Sequence, residues 1–465
     1  MQTLRNYQDT IAAIATPLGE GGISVIRICG NQSISILDSF FQGKKKISTA
    51  KTHTLHYGKF YSDQNELLDT VIISIFRKPH SYTGNDVVEI SCHGGHYVAQ
   101  KILNTLLSKN IRMADAGEFT LRAFINNKLD LVQAEAVADV VHAKNESAYR
   151  SSIDQLNGKL SVFVNSIRQQ IIEICSIFEL QLDFSQEGLE LQNKNESIEK
   201  INSLVKTLEQ VIATFTSGKL IKEGIKVAII GKPNAGKSSL LNILLNEQRA
   251  IVSHISGTTR DTIEENLIID GVLFRITDTA GLRNTPDEIE QQGIERAESA
   301  IRNSDVVILL IDASHKQDQS DFELSFRIKN LISNQTHLIY LFNKCDIANV
   351  RDPNIEANFS KNVFFISCKT KEGIEEFKKQ LIQVALPNYD SLSSGMLINN
   401  LRHKNLLEKA SIPLNNAIIS LQSNISEDFI ACDLREALDY LGEIIGIMTP
   451  EDILNNIFSN FCIGK

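Results

Sequence analysis

Gly231 and Gly236 bracket the stretch "GKPNAGKS", a G-x-x-x-x-G-K-S spacing set between an apolar run, "VAII", and a helical pattern, "SLLNILL". Glycine at both ends lets backbone N–H groups turn toward phosphate oxygens, Lys237 reaches the outer phosphates, and the Ser238 hydroxyl can ligate Mg²⁺. Three further segments follow in the order a guanine-nucleotide switch requires. "GTTRD" at 257–261 offers Thr259 as a second hydroxyl for the magnesium ion. "DTAG" at 278–281 leaves the run "VLFRIT", with Asp278 to hold the metal's shell and the Gly281 N–H to sense a γ-phosphate. "NKCD" at 343–346 follows "LIYLF". A carboxylate at Asp346 accepts two hydrogen bonds from the guanine edge that adenine does not donate, so GTP rather than ATP is the expected nucleotide.

"ISCK" at 366–369 follows the last strand-like run and supports the base through Ser367 and neighbouring backbone. The expected GTP contacts are therefore Asn234, Ala235, Gly236, Lys237, Ser238 and Ser239; Ser253, His254, Ile255, Ser256, Gly257, Thr258 and Thr259; Asp278, Thr279, Ala280 and Gly281; Asn343, Lys344 and Asp346; and Ser367, Cys368 and Lys369. Two catalytic parts are missing from these motifs. The position after "DTAG", where a water-orienting glutamine often stands, is Leu282, and no arginine finger is evident. "PDEIEQQGIER" supplies Asp287, Glu288 and Glu290 as acids for the water, each of which also reads as a solvated charge near a helix N-terminus.

These residues need strands to carry them. From 225 to about 384 short β-branched runs alternate with helical patterns, which predicts a parallel α/β sheet. Upstream, Ile153, Leu156, Leu160, Phe163, Ile167, Ile171, Ile174 and Phe178 are spaced by three and four, predicting one long amphipathic helix within 151–215. Helical texture returns after Pro387. The simplest organisation is a multidomain α/β protein: an α+β domain at 1–121, a discontinuous helical domain at 122–217 and 385–465, and a Ras-like P-loop domain at 218–384 inserted between its halves. In the first of these, "TIAAIA", "ISVIRI", "TVIISIF" and "DVVEIS" read as strands and a helix follows "HGGH".

Length and charge narrow the class. The 465 residues carry 47 Lys and Arg against 56 Asp and Glu, a net charge of -9, so any nucleic-acid contact is local or shared with a partner. The run "GKKKIS" reads as a solvated loop rather than a nucleic-acid patch. Seven scattered cysteines without a C-x-x-C pair argue against a disulfide framework and a zinc site and suit a reducing cytoplasm. Neither a signal peptide nor a membrane span is expected. The last four residues, "CIGK", do not suit prenylation, because Gly464 stands where an aliphatic residue is required. Cys462 is then either a core-packed thiol or a piece of chemistry on a mobile, accessible tail.

Together, "TPLGEGGISVIRICG", "HGGH", "AGEFTLRAFINNKLDLVQAEAVADVV", the GTPase motifs and "CIGK" make the chain resemble the MnmE/TrmE tRNA-modification GTPases over essentially its whole length. The resemblance implies a homodimer held by N-terminal tetrahydrofolate-binding domains similar to those of the glycine-cleavage T-protein. It implies action on C5 of the tRNA wobble uridine together with an MnmG/GidA-type FAD protein, in a heterotetramer or larger complex. Folate contacts fall on Arg27, Glu89, Lys128 and Lys465; a carboxylate suits the pterin's N–H groups and cations suit the glutamate tail. The resemblance also places a K⁺ ion, in the arginine finger's role, on Asn234, Ser253, Ile255 and Thr258, oxygen ligands that suit a hard cation. It selects Glu290 as the acid that orients water.

By the same resemblance the bound cofactor is 5,10-methylene- or 5-formyl-tetrahydrofolate, and 5,10-methylene-tetrahydrofolate is the one-carbon donor. The tail reaches the folate pocket, with Lys465 on folate and Cys462 poised near the one-carbon unit as nucleophile or proton carrier. Ammonia and glycine both remain as amine sources. A rival from another class is an Era-type ribosome-assembly switch that binds RNA without folate chemistry; it leaves the N-terminal domain and "CIGK" without a task.

Overall fold

The computed structural model describes residues 7–17, 19–183, 194–247, 264–278, 297–315, 318–347, 359, 362–387, 389, 396–423, 425–447 and 449–465. The chain forms two compact units, one of Met1–His142, Ser152–Val205 and Lys409–Lys465, the other of Ala143–Ser151 and Lys206–Glu408.

The first unit is built on a sheet of β1 (Ile11–Ile14), β2 (Ile23–Cys29), β3 (Phe41–Gly43), β4 (Thr54–Tyr61), β5 (Leu67–Phe76), β6 (Val87–His93) and β7 (Arg112–Met113). Their order is β3-β4-β5-β6-β2-β1-β7, with only the β1–β7 pair parallel. Alternating burial along β4 and β5 marks a sheet with one fully packed face. On that face Ile26, Phe60, Ile73 and Ile90 meet Ile102 and Leu106 of α1 (His96–Leu107). The other face is covered at one end by α2 (Glu118–Ile125), whose Phe119 packs with Ile11, Ala13, Cys29 and Val87. Burying Phe119 completely contributes about 2–3 kcal/mol. The four expected strands and the helix after "HGGH" are present. β3, β4 and β7 are additional: "TLHYGKFY" lacks the apolar run that marks a strand in sequence, and β3 and β7 span only three and two residues.

Helices follow: α3 (Leu131–His142), α4 (Glu146–Leu156), α5 (Lys159–Asp183), α6 (Lys194–Ala213) and α7 (Phe215–Glu223). The expected single helix over 151–215 is corrected by this series. Gly158, at φ +82°, ends α4 and lets the chain restart as α5. The three-and-four spacing survives across the break, since Leu156 and Leu160 flank it, and periodicity alone cannot register a left-handed residue. The expected seams at 121/122 and 217/218 fall inside α2 and α7.

The second unit carries β8 (Ile225–Gly231), α8 (Lys237–Glu247), β9 (Glu264–Ile269), β10 (Val272–Asp278), β11 (Val306–Asp312), α9 (Gln319–Leu331), β12 (His337–Asn343), β13 (Val363–Phe365) and α10 (Ile374–Ala385). The sheet order is β13-β12-β11-β8-β10-β9. Continuous apolar runs such as "VVILLI" bury both faces, as a parallel sheet requires. The expectation of a purely parallel sheet needs one correction: β9 pairs antiparallel with β10 through Asp270-Gly271, both at positive φ. That dipeptide is a hairpin signal, since both turn positions must accept a left-handed backbone.

The chain then returns to the first unit along α11 (Leu401–Gln422) and through α12 (Glu427–Ile445) and α13 (Glu451–Ser459). Phe458 and Phe461 close a small core with Leu121, Leu131 and Ala134. This packing delivers the last residues to the N-terminal sheet. Among the described residues no helix is long and apolar enough to cross a membrane.

Candidate functional site

In the second unit the β8 strand delivers Gly231 against β11, where a Cβ would sit 2.4 Å from the Leu310 carbonyl oxygen. Gly236, at φ +103°, has no room for one either, because Asn343 Nδ2 would lie 2.2 Å away. Both glycines are thus required by close approach as well as by the turn. Asn234 holds a left-handed φ of +63°, exposed at the rim, and Ser238 and Ser239 open α8 with exposed side chains. The Lys237 ammonium lies across the loop, donating to the carbonyls of Gly231 at 2.7 Å and Lys232 at 2.9 Å. The cradle suits a triphosphate, with the Ser238 hydroxyl available to Mg²⁺.

Asn343 ties this loop to the base-reading loop. Its Nδ2 donates to the Ala235 carbonyl at 2.9 Å while its Oδ1 accepts from the Cys368 N–H at 3.0 Å. Lys344, at φ +67°, donates to Asp312 at 2.6 Å. Burial alone would raise the Asp312 pKa, but Lys344 and Ser314 outweigh it and hold the carboxylate below its usual range. Ser367 is fully buried and donates to Asp346 Oδ1 at 2.7 Å. It thereby orients the Asp346 carboxylate. Burial pushes the Cys368 thiol up to about 11, leaving it neutral, and Lys369 is exposed. Asp312, missed in sequence, had a signal: an acid closing the buried run "VVILLID".

Ser253, His254, Ile255, Ser256, Gly257, Thr258, Thr259, Thr279, Ala280, Gly281 and Glu290 lie outside the described residues, as do Leu282, Asp287 and Glu288. Asp278 ends β10 beside Ile229, and its side chain is likewise outside the description.

A second constellation forms in the first unit. Arg27 on β2 and Glu89 on β6 are register partners on the face that α2 half covers. Arg27 reaches Glu89 Oε1 through Nε at 2.9 Å and Nη2 at 2.8 Å. Its guanidinium lies 5.6 Å from the Phe119 ring centre and 5.8 Å from that of Tyr82. The Tyr82 hydroxyl meets Thr120 at 2.9 Å. Lys128 is exposed, and its side chain runs along Gly84, two residues from Tyr82.

The C-terminal residues arrive at the same place. Ile463 forms a β-bridge with Ala116, Arg27 Nη1 donates to the Gly464 carbonyl at 3.1 Å, and the Phe119 N–H donates to the Lys465 carbonyl at 3.3 Å. Gly464, at φ +97°, presses on β1, where a Cβ would be 2.6 Å from the Ile14 carbonyl oxygen. The expectation of a mobile tail is thereby corrected: it is strapped down by backbone pairing that sequence cannot show. Cys462 itself is exposed, which removes the core-packed alternative.

Beneath the strap, Glu118 anchors the turn. Its carboxylate receives Arg112 at 2.6 and 2.9 Å, Arg122 at 2.8 Å and the Asp115 N–H at 2.9 Å. Burial pushes its pKa up, yet these donors outweigh burial and hold it below the usual range. A depressed folded pKa stabilises the fold above the unfolded value near 4.5, and that stability is lost as pH falls through the folded value. Glu118→Gln is expected to cost about 3 kcal/mol at pH 7, with a shallower loss of stability below pH 4.5 than the wild type, read by denaturant titration.

A P-loop whose glycines admit no side chain, coupled by Asn343 to an Asn-Lys-x-Asp loop, defines a P-loop GTPase domain. The sequence matches the MnmE helical domain over residues 131–462 and the N-terminus of GTP-binding protein TrmE over residues 10–128. The chain belongs to the MnmE/TrmE family. The protein "tRNA modification GTPase MnmE" of Flavobacterium psychrophilum is 44% identical, the alignment covering 99% of this chain and 100% of the relative. Its namesake from Flavobacterium johnsoniae is also 44% identical, over 98% of this chain and 99% of the relative. Among solved structures, Era of Aquifex aeolicus is 25% identical over 41% of this chain and 66% of its own, with a TM-score of 0.28.

Proposed function

We propose that the chain is a K⁺-dependent GTPase acting in tRNA modification. With an MnmG/GidA-type FAD protein it installs an aminomethyl or carboxymethylaminomethyl group at C5 of the wobble uridine, using a tetrahydrofolate one-carbon donor. The observation that carries this reading is the convergence of the "CIGK" strap with Arg27 and Glu89, 437 residues apart along the chain at the Arg27–Gly464 hydrogen bond. An Era-type switch gives that convergence no purpose.

The residues present suit a folate. Glu89 offers a carboxylate to paired N–H groups, Tyr82 presents a partly exposed ring beside Arg27, and Lys128 and Lys465 are cations for an anionic tail. Bound there, the cofactor supplies a carbon at the oxidation level of formaldehyde. Arg27 holds Glu89 and the Gly464 carbonyl together, and the strap presents the Cys462 thiol to solvent beside them. In the nucleotide site Ser238 and Thr259 would hold Mg²⁺; Asn234, Ser253, Ile255 and Thr258 would hold K⁺; and Glu290 would orient water. GTP turnover then drives a conformational cycle between the two reactions. The exposed apolar strip Leu55, Tyr57, Ile72 and Ile23 on the sheet's open face is what a second copy would cover. Sedimentation showing only monomer at micromolar concentration would remove the dimer.

Two measurements test the assignment. Full-length protein is expected to bind 5-formyl-tetrahydrofolate, and Glu89→Gln to weaken it by about 10- to 100-fold, since one charge-assisted hydrogen bond is worth roughly 1.5–3 kcal/mol; a folded wild type that binds no folate sinks the folate reading. GTP hydrolysis is expected to be at least about 10-fold faster in KCl than in NaCl, because stabilising transition-state charge is worth several kcal/mol. Equal rates would remove the K⁺ ligands from the account.

A further inference from the structure

On a chain of net charge -9, the segment between Asp38 and Asp63 holds lysines 44, 45, 46, 51 and 59 and no carboxylate. Sequence alone reads the "KKK" run as a solvated loop rather than a nucleic-acid patch; the structure keeps it exposed and adds that it is fastened. Gly43 pairs with Gly58 at the end of β3, so the run emerges from the edge of the sheet beside β4. Immediately after it, Ile47 is fully buried in the N-terminal core and Ala50 nearly so. The loop is also fastened through its backbone. Asp38 accepts the N–H groups of Ile47 at 2.6 Å and Ser48 at 3.2 Å, and Arg77 donates to the carbonyls of Ala50 at 3.0 Å and Ser48 at 2.7 Å.

All five lysines face outward, four on the fastened loop and Lys59 on β4: Lys44, Lys45, Lys46, Lys51 and Lys59 are all exposed, and none makes an ion pair among the described residues. The Asp38 carboxylate is turned to the backbone of the loop and to Ser48. The result is a preorganised row of unpaired ammonium groups on an otherwise acidic chain. Display on a fixed loop lowers the ordering cost of contacting a polyanion, and release of condensed counterions supplies the driving force.

We propose that this lysine edge is the chain's own contact with the phosphate backbone of its tRNA substrate, a local positioning surface that reads no sequence. The inference rests on the tRNA reading above. Phosphate contacts of this kind fix register, while base recognition lies elsewhere in the assembly.

The test uses the full-length chain and an unmodified tRNA transcript, with binding followed by fluorescence anisotropy from 50 to 300 mM KCl, a range chosen because salt competes directly with phosphate contacts. Lys44→Gln/Lys45→Gln/Lys46→Gln is expected to raise Kd by about 10-fold or more and to reduce the slope of log K against log salt by about 2–3, while GTP hydrolysis without tRNA stays unchanged. A charge-reversed variant, Lys44→Glu/Lys45→Glu/Lys46→Glu, is expected to go further. Unchanged affinity and slope in the glutamine variant would overturn the proposal. So would loss of binding to phosphatidylglycerol-containing vesicles with tRNA binding intact, which would make the edge a membrane contact. A wild type that binds no tRNA at 50 mM KCl also overturns it, yet leaves the modification reading to be decided by wobble-nucleoside analysis.

Discussion

Asparagine in place of Asp346 is expected to weaken GTP binding by about 10³-fold or more, with the fold intact. Ser367 Oγ donates to Asp346 Oδ1 at 2.7 Å, and an asparagine would present its carbonyl to that donor. Its amide N–H₂ would then face the guanine edge, opposing donors to donors. A site built to hydrogen-bond a particular edge rejects the mismatched pairing by factors of about 10⁴, because buried polar groups are left unpaired. Titration of the full chain with a fluorescent GTP analogue measures the change. Affinity within threefold of wild type would show that Asp346 does not read the base.

Changes in the strap are expected to separate the two reactions. Gly464→Ala puts a Cβ 2.6 Å from the Ile14 carbonyl oxygen, in a residue whose φ of +97° already disfavours any side chain. The tail must lift from β1, taking the Gly464 carbonyl from Arg27. Tenfold to hundredfold loss of tRNA modification is expected, since misplacement of a reacting group by about 1 Å can cost 10²-fold, while GTP hydrolysis is spared. Cys462→Ser supplies the control for structure. The thiol is exposed, so stability should stay within about 0.5 kcal/mol and modification should still be abolished or strongly reduced. Normal modification with Cys462→Ser would return that cysteine to a bystander. Loss of GTP hydrolysis in either variant would contradict the division of labour.

What sequence disclosed, and what it could not, follows from the range of the interactions. The P-loop, the strand-end position of Asp278 and the Asn343–Asp346 loop are local patterns, in which a few contiguous residues must be of given types. The strands β8, β10, β11, β12 and β13 were visible as apolar runs for the same reason. The resemblance placed the tail at the folate pocket, but the strap's backbone pairing was not visible. Ala116 pairing with Ile463, and Arg27 bonding to Gly464, join residues at opposite ends of the chain through backbone atoms that carry no sequence signature. Gly158 was hidden by a periodicity that continues across it. Asp270-Gly271 was legible as a hairpin turn and was overshadowed by the parallel alternation around it. The role of Asn343 lay between these cases: its motif marks it for the base loop, while its bond to the Ala235 carbonyl depends on how β12 and the P-loop meet. "GKKKIS" looked the same as any solvated run until Ile47 and Arg77 were seen to fasten it.

The tRNA-modification reading has one direct test, nucleoside analysis of wobble uridine in cells lacking this chain and in the same cells supplied with wild type or Cys462→Ser. The C5 modification is expected to be missing without the chain, restored by the wild type and not restored by the serine variant. Full modification in cells lacking the chain would contradict the account.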